Sequence, residues 1–255
     1  VEVAAVVAGE ITTGNYTSTL SGTSSAANAD LIMADTTGIV TATVTATGAV
    51  AALNTALGNA SATDALTMVL DATTASAADL NTLNGKTSVA IDSTSITDVT
   101  SSAVADVQTM VTNIAAIGLD SDWNVTLSDT TLAASAAAAV NVGTSGTIDM
   151  SAATTISSSS VADVLAIVQN TGATFATHAD YAVTLSDTTA SAANIKLINA
   201  DSTGAIDMSA VTTISSSSTS DVLEIVQNTG AAFTTATNYA VTLSDTTASA
   251  ANIKL

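Results

Sequence analysis

Aspartate is the residue type whose spacing in this sequence could do chemistry, because its carboxylates return at fixed intervals. In the corner Ser186-Asp187-Thr188-Thr189, a carboxylate, hydroxyl groups and main-chain carbonyls lie together. Hard cations prefer these oxygens, so such a corner is a candidate Ca²⁺ site and Ca²⁺ is the candidate cofactor. The candidate metal ligands form two sets: Asp71, Asp129, Asp187 and Asp245, which recur at equal intervals, and Asp92, Asp149 and Asp207.

A structural role is the alternative for the same aspartates. Asp stabilises a tight corner and caps the helix that follows it without any metal ion. One carboxylate per corner is a small ligand set, and the glycine-rich GGxGxDxUx calcium repeat is absent from the sequence. The pattern therefore favours helix capping, with calcium binding as the second interpretation.

The sequence offers no set of side chains for nucleophilic or acid–base catalysis. His178 is the only histidine, its counterpart one repeat later is Ala236, and there is no cysteine. A nucleophile needs a neighbouring base and a group that orients this base, and the residue types here do not supply both. We therefore expect no enzymatic activity, with His178 in a surface loop and the repeat-equivalent Lys196 and Lys254 on a solvated helix face.

The charge balance excludes further classes of partner. The chain carries 22 acidic residues against 3 Lys and Arg, a formal net charge of −19. Nucleic-acid binding releases counterions through basic side chains, so nucleic acid is not an expected partner. Residues 133–142 are apolar but far fewer than the roughly 20 of a membrane span, so we expect no membrane insertion. Residues 1–9 lack the basic flank of a signal peptide, and we expect the chain to be a segment of a longer protein.

The elements that must position these side chains repeat along the chain. The segment YAVTLSDTTASAANIKL at residues 181–197 returns unchanged at residues 239–255. Ile214 stands midway between the equivalent Leu185 and Leu243, in a related sequence, so each unit consists of two half-units. We therefore predict one continuous repeat array over residues 1–255. Its approximate units are 1–17 (partial), 18–67, 68–124, 125–182, 183–240 and 241–255 (partial).

Each half-unit predicts a strand, a polar corner, a helix and a second short strand. Val183 and Leu185 alternate with Thr184, the period of a strand with one buried face. In residues 161–170, Val161, Val164, Leu165 and Val168 have the spacing of one helix face. Residues 205–210 predict the second strand, because apolar and polar residues alternate there as well.

Signals for helix ends accompany these patterns. Ser160 with Asp163, and Ser218 with Asp221, have the spacing of a capping box. The sequence Asn-Thr-Gly at 170–172 and again at 228–230 places a glycine just past the predicted end of each helix. The sequence therefore predicts both boundaries of the helices in the later units.

This order of elements predicts a right-handed solenoid of parallel β-strands, with a short helix in each coil of about 29 residues. On this prediction Leu185 stacks directly on Ile156 and Ile214. Two alternatives remain open: an all-β solenoid in which the helical segments are loops, and tandem β-sandwich modules of about 58 residues. Sandwiches usually show hairpin dipeptides, and Asn84-Gly85 is the only one of the Asn-Gly or Asp-Gly type here.

Threonine-rich strands suggest a minor alternative function. Residues 41–47, TATVTAT, could present a regular array of hydroxyl groups to ice or to a polysaccharide. Threonine is also a good strand residue, and the matching positions of other units change to Ser, Asp and Ala. Glycan contact usually involves aromatic platforms, and Trp123 is the only tryptophan.

The repeats include residues 183–218, VTLSDTTASAANIKLINADSTGAIDMSAVTTISSSS. In segments of this kind, the chain resembles the Ala/Thr/Ser/Asp-rich repeats of very large bacterial cell-surface proteins, notably those of cyanobacteria and other aquatic bacteria. The motif TTASAA, followed by (D/N)-(L/I)-x-x-L and V-T-T-I-S, carries this resemblance, which spans the whole chain. The resemblance implies secretion to the cell surface and a role in adhesion, a surface layer or an extracellular filament.

These observations predict a structural segment of an extracellular bacterial surface protein. Its job would be that of a stiff spacer, a surface-layer component or a self-associating filament. The expected partner is another copy of the chain, or the neighbouring repeats into which the array continues. The alternative is a Ca²⁺-dependent adhesive module whose partner is a glycan.

Overall fold

The computed structural model describes residues 15–170, 174–230, 232–247 and 249. These residues fall in two compact units, the first within 1–126 and 143–146 and the second within 127–142 and 147–255. Some of the predictions fall partly or wholly outside the described residues: the helix stop at 170–172, the partial units 1–17 and 241–255, and Lys254.

Strands and helices alternate along the first unit. Its strands and helices, in chain order, are β1 (Ser18–Ser25), α1 (Ala26–Asp35), β2 (Val40–Ala46), α2 (Val50–Ala56), β3 (Ala65–Leu70), β4 (Thr74–Ala75), α3 (Ala77–Asn84), β5 (Asp98–Ser102), α4 (Val104–Thr112), α5 (Ile114–Ile117) and β6 (Asn124–Leu127), the last residue of which belongs to the second unit. Strands β1, β2 and β3 form one parallel sheet in that order, and β4 pairs in parallel with β5.

The second unit repeats this alternation. Its elements are β7 (Thr131–Leu132), α6 (Ala134–Asn141), β8 (Ile148–Met150), β9 (Thr155–Ser159), α7 (Val161–Val168), β10 (Phe175–Thr177), β11 (Ala182–Leu185), β12 (Thr189–Ala190), α8 (Ala192–Asp201), β13 (Ile206–Met208), β14 (Thr213–Ser217), α9 (Thr219–Gln227), β15 (Phe233–Thr235) and β16 (Ala240–Leu243). One parallel sheet has the order β7-β9-β11-β13-β15, another has the order β12-β14-β16, and β8 pairs in parallel with β10.

Alternating parallel strands and helices make this an α/β fold. The predicted combination of parallel strands with short helices is therefore confirmed. The β-sandwich alternative is not what the described residues form, because sandwiches are built from antiparallel sheets. The segments that an all-β solenoid would leave as loops are helices. None of the helices among the described residues is both long and apolar enough to cross a membrane.

Strand β2 shows why these residues form strands. In its sequence VTATVTA, the Val and Ala side chains are buried and the three Thr side chains between them are exposed. Val and Thr branch at Cβ, which favours extended backbone, and alternation buries one face of the strand. Core positions elsewhere are filled in the same manner by Ile, Leu, Val and Met, so each unit has an aliphatic interior with few aromatic rings.

Serine side chains begin several helices. Ser160 Oγ donates to Asp163 Oδ2 at 2.7 Å and accepts from the Asp163 N–H at 3.1 Å at the start of α7. Ser218 and Asp221 make the same two hydrogen bonds, at 2.7 and 3.1 Å, at the start of α9. Both predicted capping boxes are confirmed. The buried face of α7 includes Ile167. Leu165 and Val168 were expected on this face but are only partly buried, so that detail of the helical pattern was wrong.

The register between strands differs from the stacking that the half-units predict. Ile156 pairs with Val183, and Val183 pairs with Ile206. Leu185 pairs with Ser159, whereas Ile214 pairs with Ala190 and Val241. The predicted stack of Leu185 on Ile156 and Ile214 is therefore wrong.

The spacing of paired residues along the chain differs from the spacing of the sequence repeat. Pairing in the second unit follows the series Leu132, Ile156, Val183, Ile206 and Phe233. Two steps of pairing lead from Leu132 only as far as Val183, whereas one full sequence repeat leads from Leu132 to Ala190. Identical sequences one repeat apart consequently lie in different sheets: β11 is in the five-stranded sheet, and β16 is in the three-stranded sheet.

Candidate functional site

Serine side chains of the strand-to-helix corners cap helices that lie earlier in the chain. Ser217 Oγ accepts a hydrogen bond from the N–H of Ala192, the first residue of α8, at 2.8 Å. The same hydroxyl donates to the Ser215 carbonyl at 2.9 Å, and Ser217 is 1% exposed. The preceding residue, Ser216, holds a left-handed backbone with φ of 45°, which turns the Ser217 side chain inward. This corner therefore satisfies a buried amide that α8 itself leaves unpaired.

The same serine cap recurs in both units. In the second unit, Ser159 Oγ accepts from the N–H of Ala134 at the start of α6 at 2.8 Å. In the first unit, Ser102 Oγ accepts from the N–H of Ala77 at the start of α3 at 2.8 Å. The residues before these serines, Ser101 and Ser158, also have positive φ angles of 41° and 40°.

Aspartates take the place of serine at the other helices of the second unit. The N–H of Val161, the first residue of α7, donates to Asp187 Oδ2 at 2.6 Å. The N–H and Oγ1 of Thr219, the first residue of α9, both donate to Asp245 Oδ2. A carboxylate at this position also complements the partial positive charge of the helix N-terminus. From α6 to α9, Ser and Asp therefore alternate as caps that come from a later corner of the chain.

These contacts correct the expected direction of capping. Asp187 was expected to cap the helix that follows it, α8, but α8 is capped by its own Ser191, which accepts from the Asn194 N–H at 3.3 Å. Asp187 instead reaches back to α7. Asp71, in the first unit, likewise accepts from the N–H of Gly48 at 2.7 Å, just before α2. Asp129 stands in the corresponding corner after β6.

The second set of predicted metal ligands forms local turns. Asp149 Oδ1 accepts from the N–H of Ser151 at 2.9 Å, and Asp207 Oδ1 accepts from the N–H of Ser209 at 2.9 Å. Asp92 Oδ1 accepts from the N–H and the hydroxyl group of Thr94, at 3.2 and 2.8 Å, and these bonds lower the pKa of the Asp92 carboxyl. Each aspartate thus fixes the bend that follows it.

The structure does not gather the predicted ligands into a metal centre. Within the described ranges, no three His, Cys, Asp or Glu side chains lie close enough together to hold a metal ion. Asp71, Asp187 and Asp245 direct an oxygen at main-chain N–H groups, which compete with a cation for the same lone pairs. The chemistry of these aspartates is that of hydrogen-bond acceptors.

Titration of Asp245 supplies a test of its cap. Hydrogen bonds from the Thr219 hydroxyl, and then from the Thr219 N–H, lower the pKa of Asp245 below its ordinary value. A lowered folded-state pKa means that the stabilisation is present above the ordinary carboxyl pKa of about 4 and is lost as the pH falls through the lowered value. We expect Asp245→Asn to have a lower melting temperature than the wild type at pH 7, and the two curves to converge on acidification.

The cap at Ser217 provides the matched control, because a hydroxyl group does not titrate in this range. Ser217→Ala should keep the same deficit in melting temperature, relative to the wild type, at neutral and acidic pH. Parallel pH profiles for Asp245→Asn and Ser217→Ala would contradict an ionised cap at Asp245.

An aromatic clamp follows helix α8 and was not predicted from the sequence. Tyr181 is 1% exposed, and its hydroxyl donates to Asp201 Oδ2 at 2.7 Å; burial, and then this carboxylate, raise the pKa of Tyr181. Ser202 Oγ donates to the Tyr181 carbonyl at 2.6 Å and accepts from the Gly204 N–H at 3.0 Å. A Cβ atom at Gly204 would stand 2.2 Å from that carbonyl oxygen, so only glycine fits without a shift.

The first unit uses the same clamp. Thr144 Oγ1 donates to the carbonyl of Trp123, and a Cβ atom at Gly146 would stand 2.3 Å from that oxygen. Beside Leu66, Thr87 makes the corresponding hydrogen bond at 2.9 Å without a glycine two positions later. The signal available in the sequence was the equal spacing of Trp123, Tyr181 and Tyr239.

Lys196 and His178 lie beside acidic side chains of the second unit. Lys196 Nζ, on α8, lies 2.8 Å from Asp221 Oδ1 and 3.0 Å from Glu224 Oε2, both on α9, and these contacts raise the pKa of Lys196. His178 Nδ1 lies 2.5 Å from Asp180 Oδ1, and its side chain is 39% exposed, as expected for a surface loop. Lys196 therefore joins two helices as well as facing solvent.

Strand β16 exposes side chains that are buried where the same sequence occurs in β11. Val183 is 1% exposed on β11, which pairs with β9 on one side and β13 on the other. Val241, its identical counterpart on β16, is 40% exposed, and β16 lies at the edge of its sheet among the described residues. Leu185 and Leu243 show the same contrast, since the first is 1% exposed and the second only partly buried.

Comparison with protein-family models, with curated proteins and with solved structures finds no match to this chain. The fold and the contacts therefore define the class: an α/β repeat protein in which side-chain caps join helices to later corners.

Proposed function

We propose that the chain is a structural segment of an extracellular bacterial surface protein. It would serve as a stiff spacer, a surface-layer component or a self-associating filament. Its architecture would be a right-handed solenoid of parallel strands with one short helix per coil. The resemblance of its repeats to those of large bacterial surface proteins supports the location. Strand β16, which has one partner strand among the described residues, supports pairing with neighbouring repeats or with another copy.

The order of strands supports the solenoid. In the second unit, the sheet order β7-β9-β11-β13-β15 follows the chain order, and every pairing is parallel. Between successive strands of this sheet the chain leaves the sheet, forms a helix, and returns beside the previous strand in the same direction. A connection through a helix between two parallel strands of one sheet is right-handed in nearly all proteins.

The proposal of self-association rests on the difference in solvent exposure between Val183 and Val241. Two identical sequences differ in burial because β11 pairs with a strand on each side, whereas among the described residues β16 pairs with one. The second side of such a strand presents N–H and C=O groups, and here an aliphatic side chain, to a further strand, which the next repeat of the array or another copy would supply. A strand from another copy of this repeat could pair with β16 in parallel, as β13 pairs with β11.

Self-association is expected to depend on Val241. Val241→Asp places a charge on the open edge and should weaken association by about tenfold or more, the effect of roughly 1.4 kcal/mol. Sedimentation velocity over a concentration series would measure the dissociation constant of each variant. Val142→Asp is the matched control, because Val142 is 85% exposed in the same unit and is not part of a strand.

Two outcomes would contradict this proposal. Wild-type protein that remains monomeric at the highest accessible concentration, and shows only short single particles by electron microscopy, would exclude self-association. Equal weakening by Val241→Asp and Val142→Asp would show that added charge, and not the edge of β16, controls association.

The calcium-dependent alternative has a separate test. Because Asp187 and Asp245 already accept hydrogen bonds from main-chain N–H groups, we expect melting curves in EDTA and in Ca²⁺ to coincide. A ligand that binds only the folded state raises its stability by mass action, so a Ca²⁺ site would raise the melting temperature in a concentration-dependent manner. Such a rise would support a Ca²⁺-dependent adhesive module, with a glycan as its partner.

A further inference from the structure

We propose that the outer face of the sheet β1-β2-β3, in the first unit, binds the surface of ice crystals. This threonine face consists of the outward side chains of three parallel strands, of which β2 and β3 are in continuous register and β1 has a register shift between Thr19 and Thr23. Ice binding goes beyond the structural role proposed above. The face comprises Thr19, Thr23 and Ser25 on β1, Thr41, Thr43 and Thr45 on β2, and Ala65, Thr67 and Val69 on β3.

Strand register turns these side chains into a two-dimensional array. Thr23, Thr43 and Thr67 form one row across the sheet, because each is the pairing partner of the next. Strand neighbours are about 4.8 Å apart, and alternate residues of a strand are about 6.6 Å apart. Strands β2 and β3 remain in register over six consecutive pairs, so the array is regular across them. An ordered array matches a crystalline surface better than it matches a flexible partner.

The hydroxyl groups of this array are available to solvent. Thr23, Thr43, Thr45 and Thr67 are all exposed, and their side chains make no hydrogen bond to the part of the chain that the structure describes. Branching at Cβ restricts χ1, so each threonine holds its hydroxyl and its methyl group in few orientations. On this proposal, water held along such a row would be ordered before it joins a lattice, which would lower the entropy cost of that step.

The charge distribution points to a neutral partner. The chain has a formal charge of −19, yet none of the outward residues of β1, β2 and β3 is charged. The array ends beyond β3, where Asp92 is the pairing partner of Val69 and is exposed. In the second unit the outward position of β13 is Asp207, between Thr184 and Thr234. Charged side chains thus interrupt the outward rows beyond β3 and at β13.

Ice fits this face better than a protein or a polysaccharide. Protein interfaces draw most of their binding energy from Trp, Tyr and Arg, and the threonine face contains none of them. A polysaccharide surface would be expected to stack on aromatic rings, which are also missing from these outward positions. Hydroxyl and methyl groups in a lattice are suited to ordered water, whose molecules accept and donate at regular intervals.

The experiment is inhibition of ice recrystallisation by the full chain, with a fluorescently labelled sample to detect binding to a growing ice crystal. Wild-type protein should inhibit recrystallisation and coat the crystal. Thr43→Lys, at the centre of the array, should raise the concentration needed for equal inhibition by about tenfold or more. Thr43→Ser keeps the hydroxyl group and removes the methyl group, so it should give an intermediate result.

Thr126→Lys is the matched control, because Thr126 is an exposed threonine of β6, outside the threonine face. This variant should inhibit recrystallisation like the wild type, and circular dichroism should show all variants folded. Wild-type protein without effect on ice would overturn the proposal, as would equal loss in Thr43→Lys and Thr126→Lys. Sedimentation of the wild type with crystalline cellulose or chitin, but not with ice, would assign the face to a polysaccharide and likewise overturn it.

Discussion

Leu185→Ala is expected to lower the free energy of unfolding of the second unit by about 2–5 kcal/mol, because it leaves a cavity in a well-packed interior. Leu185 is 1% exposed and lies on β11, which has a paired strand on both sides. Leu243→Ala removes the same atoms from an identical sequence at the edge strand β16, where the side chain is partly exposed. Its effect should be clearly smaller, because less of the side chain leaves water on folding.

Urea denaturation followed by circular dichroism would measure both variants. Trp123, the only tryptophan, is buried in the first unit, so its fluorescence provides a separate signal for that unit. Equal destabilisation by Leu185→Ala and Leu243→Ala would contradict the difference in packing between β11 and β16, on which the proposed self-association depends.

Local structure in this chain could be predicted because its causes are local. The alternation of Val183, Thr184 and Leu185 predicted a strand, and the structure has β11 at Ala182–Leu185. Ser160 and Asp163 are close in the chain, and the capping box between them needs no information from elsewhere. Strand propensity, helix spacing and caps act over a few residues, so sequence alone specified them.

The register could not be predicted, because sequence spacing counts corner residues that do not pair. The repeat placed Leu185 and Ile156 at equivalent positions of successive half-units. Hydrogen bonding instead pairs Ile156 with Val183 and Leu185 with Ser159, and the ladder shifts between these two pairs. Ser158 lies at this shift and has a left-handed backbone, which a run of four serines does not reveal.

The candidate site, too, could be predicted only in part. The spacing of Asp187 and Asp245 identified the aspartates that matter, but capping by a later corner is a contact between residues far apart in the chain. Sequence reasoning considered only the adjacent helix, and therefore assigned the cap to the wrong one. The alternation of Asp with Ser at this position, as in Ser159 and Ser217, has a simple physical meaning: both side chains can accept from an unpaired amide, and only one of them adds charge.

Gly204→Ala is expected to destabilise the second unit by about 1–3 kcal/mol, the range for overpacking. The added Cβ atom would stand 2.2 Å from the Tyr181 carbonyl oxygen and 2.5 Å from that of Asp180. Both contacts are with main-chain atoms, which cannot rotate away as a side chain can. Relief would require the chain at Gly204 to move away from Tyr181, which would stretch the hydrogen bonds of Ser202 to the Tyr181 carbonyl and the Gly204 amide.

Gly58→Ala is the control for the substitution itself, because its nearest neighbour would be the Thr55 carbonyl oxygen at an ordinary 3.6 Å. That variant should unfold within about 0.5 kcal/mol of the wild type. Ser202→Ala separates the clamp from the clash, since it removes the hydroxyl group and adds no atom near Tyr181. Gly204→Ala as stable as Gly58→Ala would show that the backbone beside Tyr181 can yield. A large loss in Gly204→Ala with a smaller one in Ser202→Ala would show that close approach of the two main chains, and not the hydroxyl bridge alone, fixes the spacing at this corner.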